Sequence, residues 1–182
     1  MKQVTDDRTL DSVEREIKNR LSAFVLDAAE RKLESDRDWT IGIKTAIAAI
    51  GLEQGHSVCA TGIDHDNLSD AMISRLSTEW LYDLIWYDAD VAGHVAEVPL
   101  VLESEWGAST DAIFYDFDKL LLAKSKYKVM IFQGLKGNLE THLKTMDRLI
   151  DSFHPRSVTE RYLLVCYDWD TGDFEFHHKV TT

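Results

Sequence analysis

The pattern of hydrophobic and polar positions predicts two amphipathic helices in the first third of the chain. Across residues 10–34, apolar side chains recur at steps of three and four, and the opposite side is charged. A second run with this period predicts a helix over residues 39–50. Its expected N-cap is Asp38, and Gly51 or Gly55 is expected to end it.

Further along, the pattern becomes typical of strands. Residues 81–88 are rich in β-forming side chains, and an acidic loop over residues 89–97 separates them from a second such run, VPLVLESEW. The loop is short enough for antiparallel pairing of the two strands. The continuous apolar run YKVMIFQG predicts a third strand that is buried on both faces.

Helical and strand patterns alternate in the rest of the chain. TDAIFYDFDKLLLAK predicts a helix with Thr110 or Asp111 as its N-cap, and NLETHLKTMDRLIDSF predicts another. RYLLVCYDW and FEFHHKV predict a terminal hairpin. The pattern leaves the structure of two segments undecided. HSVCATGI is either a strand or a loop, and DHDNLSDAMISRLSTEW is either a helix or a long turn. The order predicts an α/β fold with a mixed sheet flanked by helices.

Length and composition indicate one globular domain over residues 1–182. The chain is 45% hydrophobic and contains five tryptophans, which is enough apolar material for a sizeable core. Residues 1–36 are expected to form an N-terminal helical extension. Its apolar stripe is expected to pack either on the domain or on a second copy of the chain, so the sequence does not decide whether a homodimer forms.

The sequence predicts a cytoplasmic protein with no membrane partner. It contains no apolar run of about 18 residues, as a membrane span would need, and its N-terminus has no apolar signal core. Cys59 and Cys166 are far apart and form no CxxC pattern, which indicates reduced, buried thiols.

The net charge of −12 disfavours indiscriminate binding to nucleic acid, which needs a basic surface. Local binding to DNA stays open, as does an acidic surface that binds a protein partner. Residues 119–128, KLLLAKSKYK, contain four lysines and no acid, and we interpret them as a solvated, lysine-rich helix end.

Three carboxylates stand in or beside the predicted central strands. Glu103 and Glu105 are two positions apart on one strand and therefore share a face, and Asp83 lies in the strand before it. They lie either on the solvent-facing side of an edge strand or at a metal site. Mg²⁺ or Mn²⁺ fits the second alternative because hard cations prefer oxygen ligands.

Asp83, then LESEW 20 residues later, then DFDKLL on a helix and KYKVMIF on a strand, resembles the PD-(D/E)XK nuclease superfamily. The resemblance covers roughly residues 39–133. It implies a restriction-endonuclease-like fold, whose core is a helix, three strands, a helix and a strand. It also implies that Asp83 and Glu103 are catalytic and bind Mg²⁺ or Mn²⁺.

The chain departs from the family pattern at the third position, because Glu105 stands where the family has lysine. A few restriction enzymes with this fold carry glutamate there, so Glu105 would act as a base or a second metal ligand. In other members the helix that follows supplies the lysine, which makes Lys119 a candidate replacement. The resemblance thus implies four catalytic residues: Asp83, Glu103, Glu105 and Lys119.

The function implied by the resemblance is that of a Mg²⁺-dependent nuclease-like protein that cleaves DNA phosphodiester bonds in restriction, repair or mobile-element defence. The alternative is a non-catalytic acidic protein of this fold that binds a protein partner or mimics DNA. A plain α/β module with an unrelated small ligand is a third interpretation. Binding of a divalent metal distinguishes the first from the others.

Overall fold

The computed structural model describes residues 9–66, 68–107, 109–134, 136–153 and 159–181. In these residues the chain forms five helices: α1 (Ser12–Arg31), α2 (Asp36–Glu53), α3 (Asp70–Ile73), α4 (Thr110–Leu122) and α5 (Lys136–Phe153). It forms seven strands: β1 (Ser57–Ala60), β2 (Leu76–Ser77), β3 (Leu84–Ala89), β4 (Val95–Glu105), β5 (Tyr127–Gly134), β6 (Arg161–Asp168) and β7 (Asp173–Val180). Both segments left open by the sequence contain a short strand, and the second also contains α3.

The strands form one mixed sheet in the order β2-β1-β3-β4-β5-β6-β7. Strands β4, β5 and β6 are parallel, and so are β1 and β2. Strand β3 is antiparallel to both β1 and β4, and β7 is antiparallel to β6. The predicted α/β fold with a mixed sheet and flanking helices is therefore confirmed.

The position of β4 excludes one of the two interpretations of its carboxylates. On one side Leu102 of β4 pairs with Leu84 of β3, and on the other Glu103 pairs with Met130 of β5. Strand β4 is thus in the middle of the sheet, and the edge-strand alternative is wrong. Asp83 lies immediately before β3 rather than within it, because β3 begins at Leu84.

Two helices begin at serines rather than at the predicted N-caps. The hydroxyl of Ser35 accepts a hydrogen bond from the Asp38 N–H, so α2 starts earlier than the apolar pattern indicates. Ser109 caps α4 in the same way, and Thr110 is its first helical residue. Capping depends on which side chain reaches a free N–H group, and several adjacent polar residues satisfy the sequence rule equally well.

The sheet separates two hydrophobic cores. Alternate residues of each strand face opposite sides, so Leu100 and Leu102 lie in the core under α1 and α2, and Val101 lies in the core under α4. Ile17 and Leu21, from the apolar stripe of α1, are fully buried in the first core. The stripe therefore packs on its own chain, which was one of the two predicted arrangements.

The lysine-rich segment is only partly solvated, which corrects the prediction. Lys128 belongs to β5 and is fully buried. Its Nζ lies 2.8 Å from Glu160 Oε2 and donates to Tyr162 Oη at 3.1 Å. Lys124 and Lys126 are exposed, as predicted. Lys128 is buried because β5 is covered on both faces and because an acidic partner, Glu160, reaches it from a distant part of the sequence.

Cys59 and Cys166 are free, buried thiols, as predicted. Within the described part of the chain, no helix combines the length and apolar character needed to cross a bilayer.

Candidate active site

Asp83 and Glu103 meet at one edge of the sheet, which we call the carboxyl edge: the edge where β4, β5 and β6 end. Strand β3 starts there because it runs antiparallel to β4. The register Leu84 to Leu102 places the next residues outward, Asp83 and Glu103, beside each other. Asp83 is held there by a hydrogen bond, in which its Oδ2 accepts from the Ser104 N–H at 2.8 Å.

Glu103 faces α4 and is only 1% exposed. Lys119 of α4 reaches it, with Nζ 2.6 Å from Glu103 Oε1 and 3.0 Å from Asp116 Oδ1. The approach to Glu103 is an ion pair by distance but lacks hydrogen-bond geometry, so the buried Oε1 accepts no hydrogen bond within the described residues. The predicted replacement lysine therefore contacts Glu103, one of the two carboxylates predicted to bind the metal.

Burial and charge together make Glu103 an unusual carboxyl group. The pKa of Glu103 is raised to about 8; loss of solvent is the largest cause, and the nearby Asp83 charge contributes to the rise. The Lys119 ammonium opposes both but does not cancel them. The ionised form of Glu103 is thus disfavoured, and a proton or a further cation would stabilise this carboxyl group.

Asp83 shares this environment. Burial raises the pKa of its carboxyl group, the charges of Glu79 and Asp116 raise it further, and the Ser104 N–H and the Lys44 ammonium oppose the rise. Lys44 approaches from α2, is 5% exposed, and pairs with Glu79 at 3.1 Å. Asp83 therefore lies between a lysine from α2 on one side of the sheet and an acid from α4 on the other.

Sequence reasoning missed three of these charged residues: Lys44, Glu79 and Asp116. Asp116 stands three residues before Lys119, so the helical repeat already placed both on one face of α4. Lys44 lies next to Ile43 on the buried side of α2, where a lysine needs an acidic partner. Glu79 lies between β2 and β3 in a stretch without periodicity, and no sequence signal would have identified it.

The hydrogen bond of Glu105 does not connect it to Asp83, Glu103 or Lys119. It is half-buried, and its carboxylate accepts from the Gly107 N–H, just beyond the end of β4. A Cβ at Gly107 would lie 2.8 Å from Glu105 Oε1, so the flexible carboxylate would have to move to admit a side chain there. Its contact is that of a turn cap, and the catalytic role implied by the resemblance stays a prediction.

The donor set suits a hard divalent cation. Asp83 and Glu103 supply two carboxylates at adjacent positions, and burial disfavours the ionised form of Glu103. No group of three or more histidine, cysteine or acidic residues suited to a metal occurs within the described residues. Mg²⁺ does not need one, because it is usually held by one or two carboxylates together with water and substrate phosphates.

Comparison of the chain with protein-family models, curated proteins and solved structures found no match. The interpretation of the site therefore depends on its geometry and its chemistry.

Proposed function

We propose that this protein is a Mg²⁺- or Mn²⁺-dependent nuclease of the restriction-endonuclease-like fold. The observation that supports the proposal most strongly is the meeting of three residues: Asp83 just before β3, Glu103 on the adjacent strand β4, and Lys119, whose Nζ lies 2.6 Å from Glu103. The three residues come from three segments of the chain, and each matches a position of the family pattern or its known replacement.

The order of the elements also supports the proposal. Helix α2, strands β1, β3 and β4, helix α4 and strand β5 follow one another as helix, three strands, helix and strand, apart from the short α3 and β2. This is the core order that the resemblance implies. Both acids and the lysine lie where β3, β4 and α4 come together.

Asp83 and Glu103 are the residues that would hold the metal. The bound cation would supply a Lewis acid for the phosphate and lower the pKa of a water molecule. Lys119 would position the attacking water or stabilise charge on the phosphate, and Asp116 holds the lysine at 3.0 Å. In this role Lys119 replaces the strand lysine that is absent at Glu105.

Cleavage assays with matched variants test the proposal. Wild-type protein is expected to degrade DNA with Mg²⁺ or Mn²⁺, and Glu103→Ala is expected to abolish the activity. Glu97→Ala is the control, since it removes a carboxylate from the exposed part of the same strand. Cleavage that survives Glu103→Ala would reject the site.

The net charge of −12 favours a second candidate function, in which the protein does not cut nucleic acid and its acidic surface binds a protein partner or mimics DNA. This candidate predicts that no DNA or RNA is degraded with either metal. It also predicts that Glu103→Ala leaves partner binding unchanged, because Glu103 is 1% exposed.

A further inference from the structure

Lys119 is shared between two carboxylates that belong to different elements. Its Nζ lies 2.6 Å from Glu103 Oε1 of β4 and 3.0 Å from Asp116 Oδ1 of its own helix, α4. The two contacts differ in kind. Lys119 donates a hydrogen bond to Asp116, whereas its approach to Glu103 is an ion pair by distance and leaves Glu103 Oε1 without a hydrogen bond from the described residues.

Lys119 has room to move, whereas Glu103 is enclosed. Glu103 is almost completely buried on a central strand, but the Lys119 side chain is 31% exposed and ends in a charge on a flexible four-carbon stem. Asp116 precedes Lys119 by three positions and therefore lies on the same face of α4. The ring of Tyr115 lies 6.0 Å from the ammonium, within the range of a cation–π contact. Lys119 can therefore leave Glu103 and keep its partners on α4.

A metal at Asp83 and Glu103 would need the carboxylate that Lys119 already contacts. Among the described residues, Lys119 is the only lysine within 4 Å of Glu103. Two cations on one carboxylate repel each other, and the repulsion is stronger in a buried place than in water. The ammonium of Lys119 and a divalent ion therefore compete for Glu103.

We propose that Lys119 closes the metal site of the free protein by occupying Glu103, and that Asp116 is the positioning residue that accepts Lys119 when Glu103 binds the metal. This inference rests on the proposed function, because it takes Asp83 and Glu103 as the metal ligands. Asp116 is not placed as a third ligand, since no three histidine, cysteine or acidic residues of the described chain are arranged to hold a metal together. The exchange frees the ammonium of Lys119 for the contact with water or phosphate that its proposed role requires.

Competition predicts that Lys119→Met binds metal more tightly and yet cleaves more slowly. Only molecules in which Lys119 has left Glu103 can bind the metal there, and the apparent affinity falls in proportion to their fraction. A minor state of this kind is populated at about 10% or less. Lys119→Met is therefore expected to bind Mn²⁺ at least about 10-fold more tightly than wild type.

Asp116→Asn separates the exchange from a simple loss of negative charge. In the free protein this change leaves Lys119 paired with Glu103, but it leaves Lys119 without its carboxylate on α4 once Glu103 binds the metal. The change is expected to weaken Mn²⁺ binding about 5-fold or more, within the usual range of coupling between two sites. In the double variant with Lys119→Met this effect is expected to shrink, because no ammonium has to be accepted. Asp116→Glu keeps a carboxylate and is expected to bind as wild type does.

Calorimetric titration with Mn²⁺ in the absence of nucleic acid tests the inference. Wild type is compared with Lys119→Met, Asp116→Asn, Asp116→Glu and the double variant, and circular dichroism shows whether each is folded. Lys119→Gln repeats the test with a polar side chain that also lacks the charge. Lys144→Met is the control, since it removes a lysine that pairs with Glu140 at the exposed surface of α5, and it is expected to bind as wild type does.

Two results would overturn the inference: folded Lys119→Met and Lys119→Gln that bind Mn²⁺ no more tightly than wild type, or an effect of Asp116→Asn that is equally large with and without Lys119. Tighter binding by Lys119→Met, with no cleavage of nucleic acid by wild type, would support the exchange and reject the nuclease function. Cleavage by wild type that Glu103→Ala abolishes, with no tightening in Lys119→Met, would keep the nuclease function and reject the exchange.

Discussion

Lys119 Nζ lies 2.6 Å from Glu103 Oε1, although the two residues belong to different elements and Glu103 is almost completely buried. The contact supplies the only lysine within 4 Å of this carboxylate among the described residues. It occurs where the strand position expected to hold a lysine holds Glu105 instead. We therefore regard the pair as the feature that connects the fold to the proposed chemistry.

Lys119→Met is expected to reduce cleavage by about 10²- to 10⁴-fold, the usual effect of losing a group that transfers or positions a proton. Methionine keeps the length of the side chain but removes the charge. Lys144→Met is the control, because Lys144 pairs with Glu140 on the exposed surface of α5. Single-turnover rates measure the effect, and equal rates for both variants would contradict the role of Lys119.

Glu14→Gln is expected to destabilise the protein by about 3–5 kcal/mol at neutral pH, because it removes the buried carboxylate that pairs with Arg161 and leaves that residue with its longer contact to Asp11. Glu14 is 1% exposed, and its carboxylate lies 2.6 Å from Arg161 Nη2 and 3.0 Å from His178 Nε2. Urea unfolding measures the change. Glu16→Gln is the control, since its pair with Arg20 is at the surface and contributes about 0.5 kcal/mol or less.

The ionisation of Glu14 is also expected to make the stability of the fold depend on pH. Burial alone would raise the pKa of Glu14, but its contacts with His178 and Arg161 outweigh burial and hold the pKa below its ordinary value of 4.5. The stabilisation is therefore complete above pH 4.5 and is lost as pH falls through the lowered pKa. The difference in stability between wild type and Glu14→Gln is expected to shrink in acid. A constant difference down to pH 3 would contradict the lowered pKa.

Gly51→Ala is expected to destabilise the protein by about 1–3 kcal/mol, the usual cost of forcing extra volume into a packed core. Gly51 lies inside α2, where a Cβ would lie 2.6 Å from the fully buried ring of Trp86. Gly137→Ala in α5 is the matched control, because no described atom lies within 4 Å of its Cβ position. There the better helix propensity of alanine is expected to stabilise by about 0.5–1 kcal/mol. Thermal unfolding measures both, and equal shifts would contradict the packing of Gly51.

The central strands β3, β4, β5 and β6 could be predicted because each carries an apolar or β-forming run. The sequence alone placed the Asp83 and Glu103 segments on adjacent strands, since 20 residues with a short acidic loop favour an antiparallel pair. Lys119 could be proposed as a partner only through the family resemblance. The fold then brought its ammonium group to Glu103.

The remaining features depend on partners that are distant in sequence. Lys128 is buried because Glu160, 32 residues later, reaches its ammonium group at 2.8 Å. Lys44 meets Glu79 in the same way across 35 residues. A lysine beside an apolar run is compatible with either a solvated or a paired position, and periodicity alone does not distinguish them.

Calorimetric titration with Mn²⁺ tests the central claim most directly. The protein is expected to bind one ion weakly, because a site held by two carboxylates is completed by substrate phosphates. Asp83→Asn and Glu103→Gln are expected to lose the binding heat, and the control Glu97→Gln is expected to retain it. Equal heats from wild type, Asp83→Asn and Glu103→Gln would contradict a metal site formed by Asp83 and Glu103.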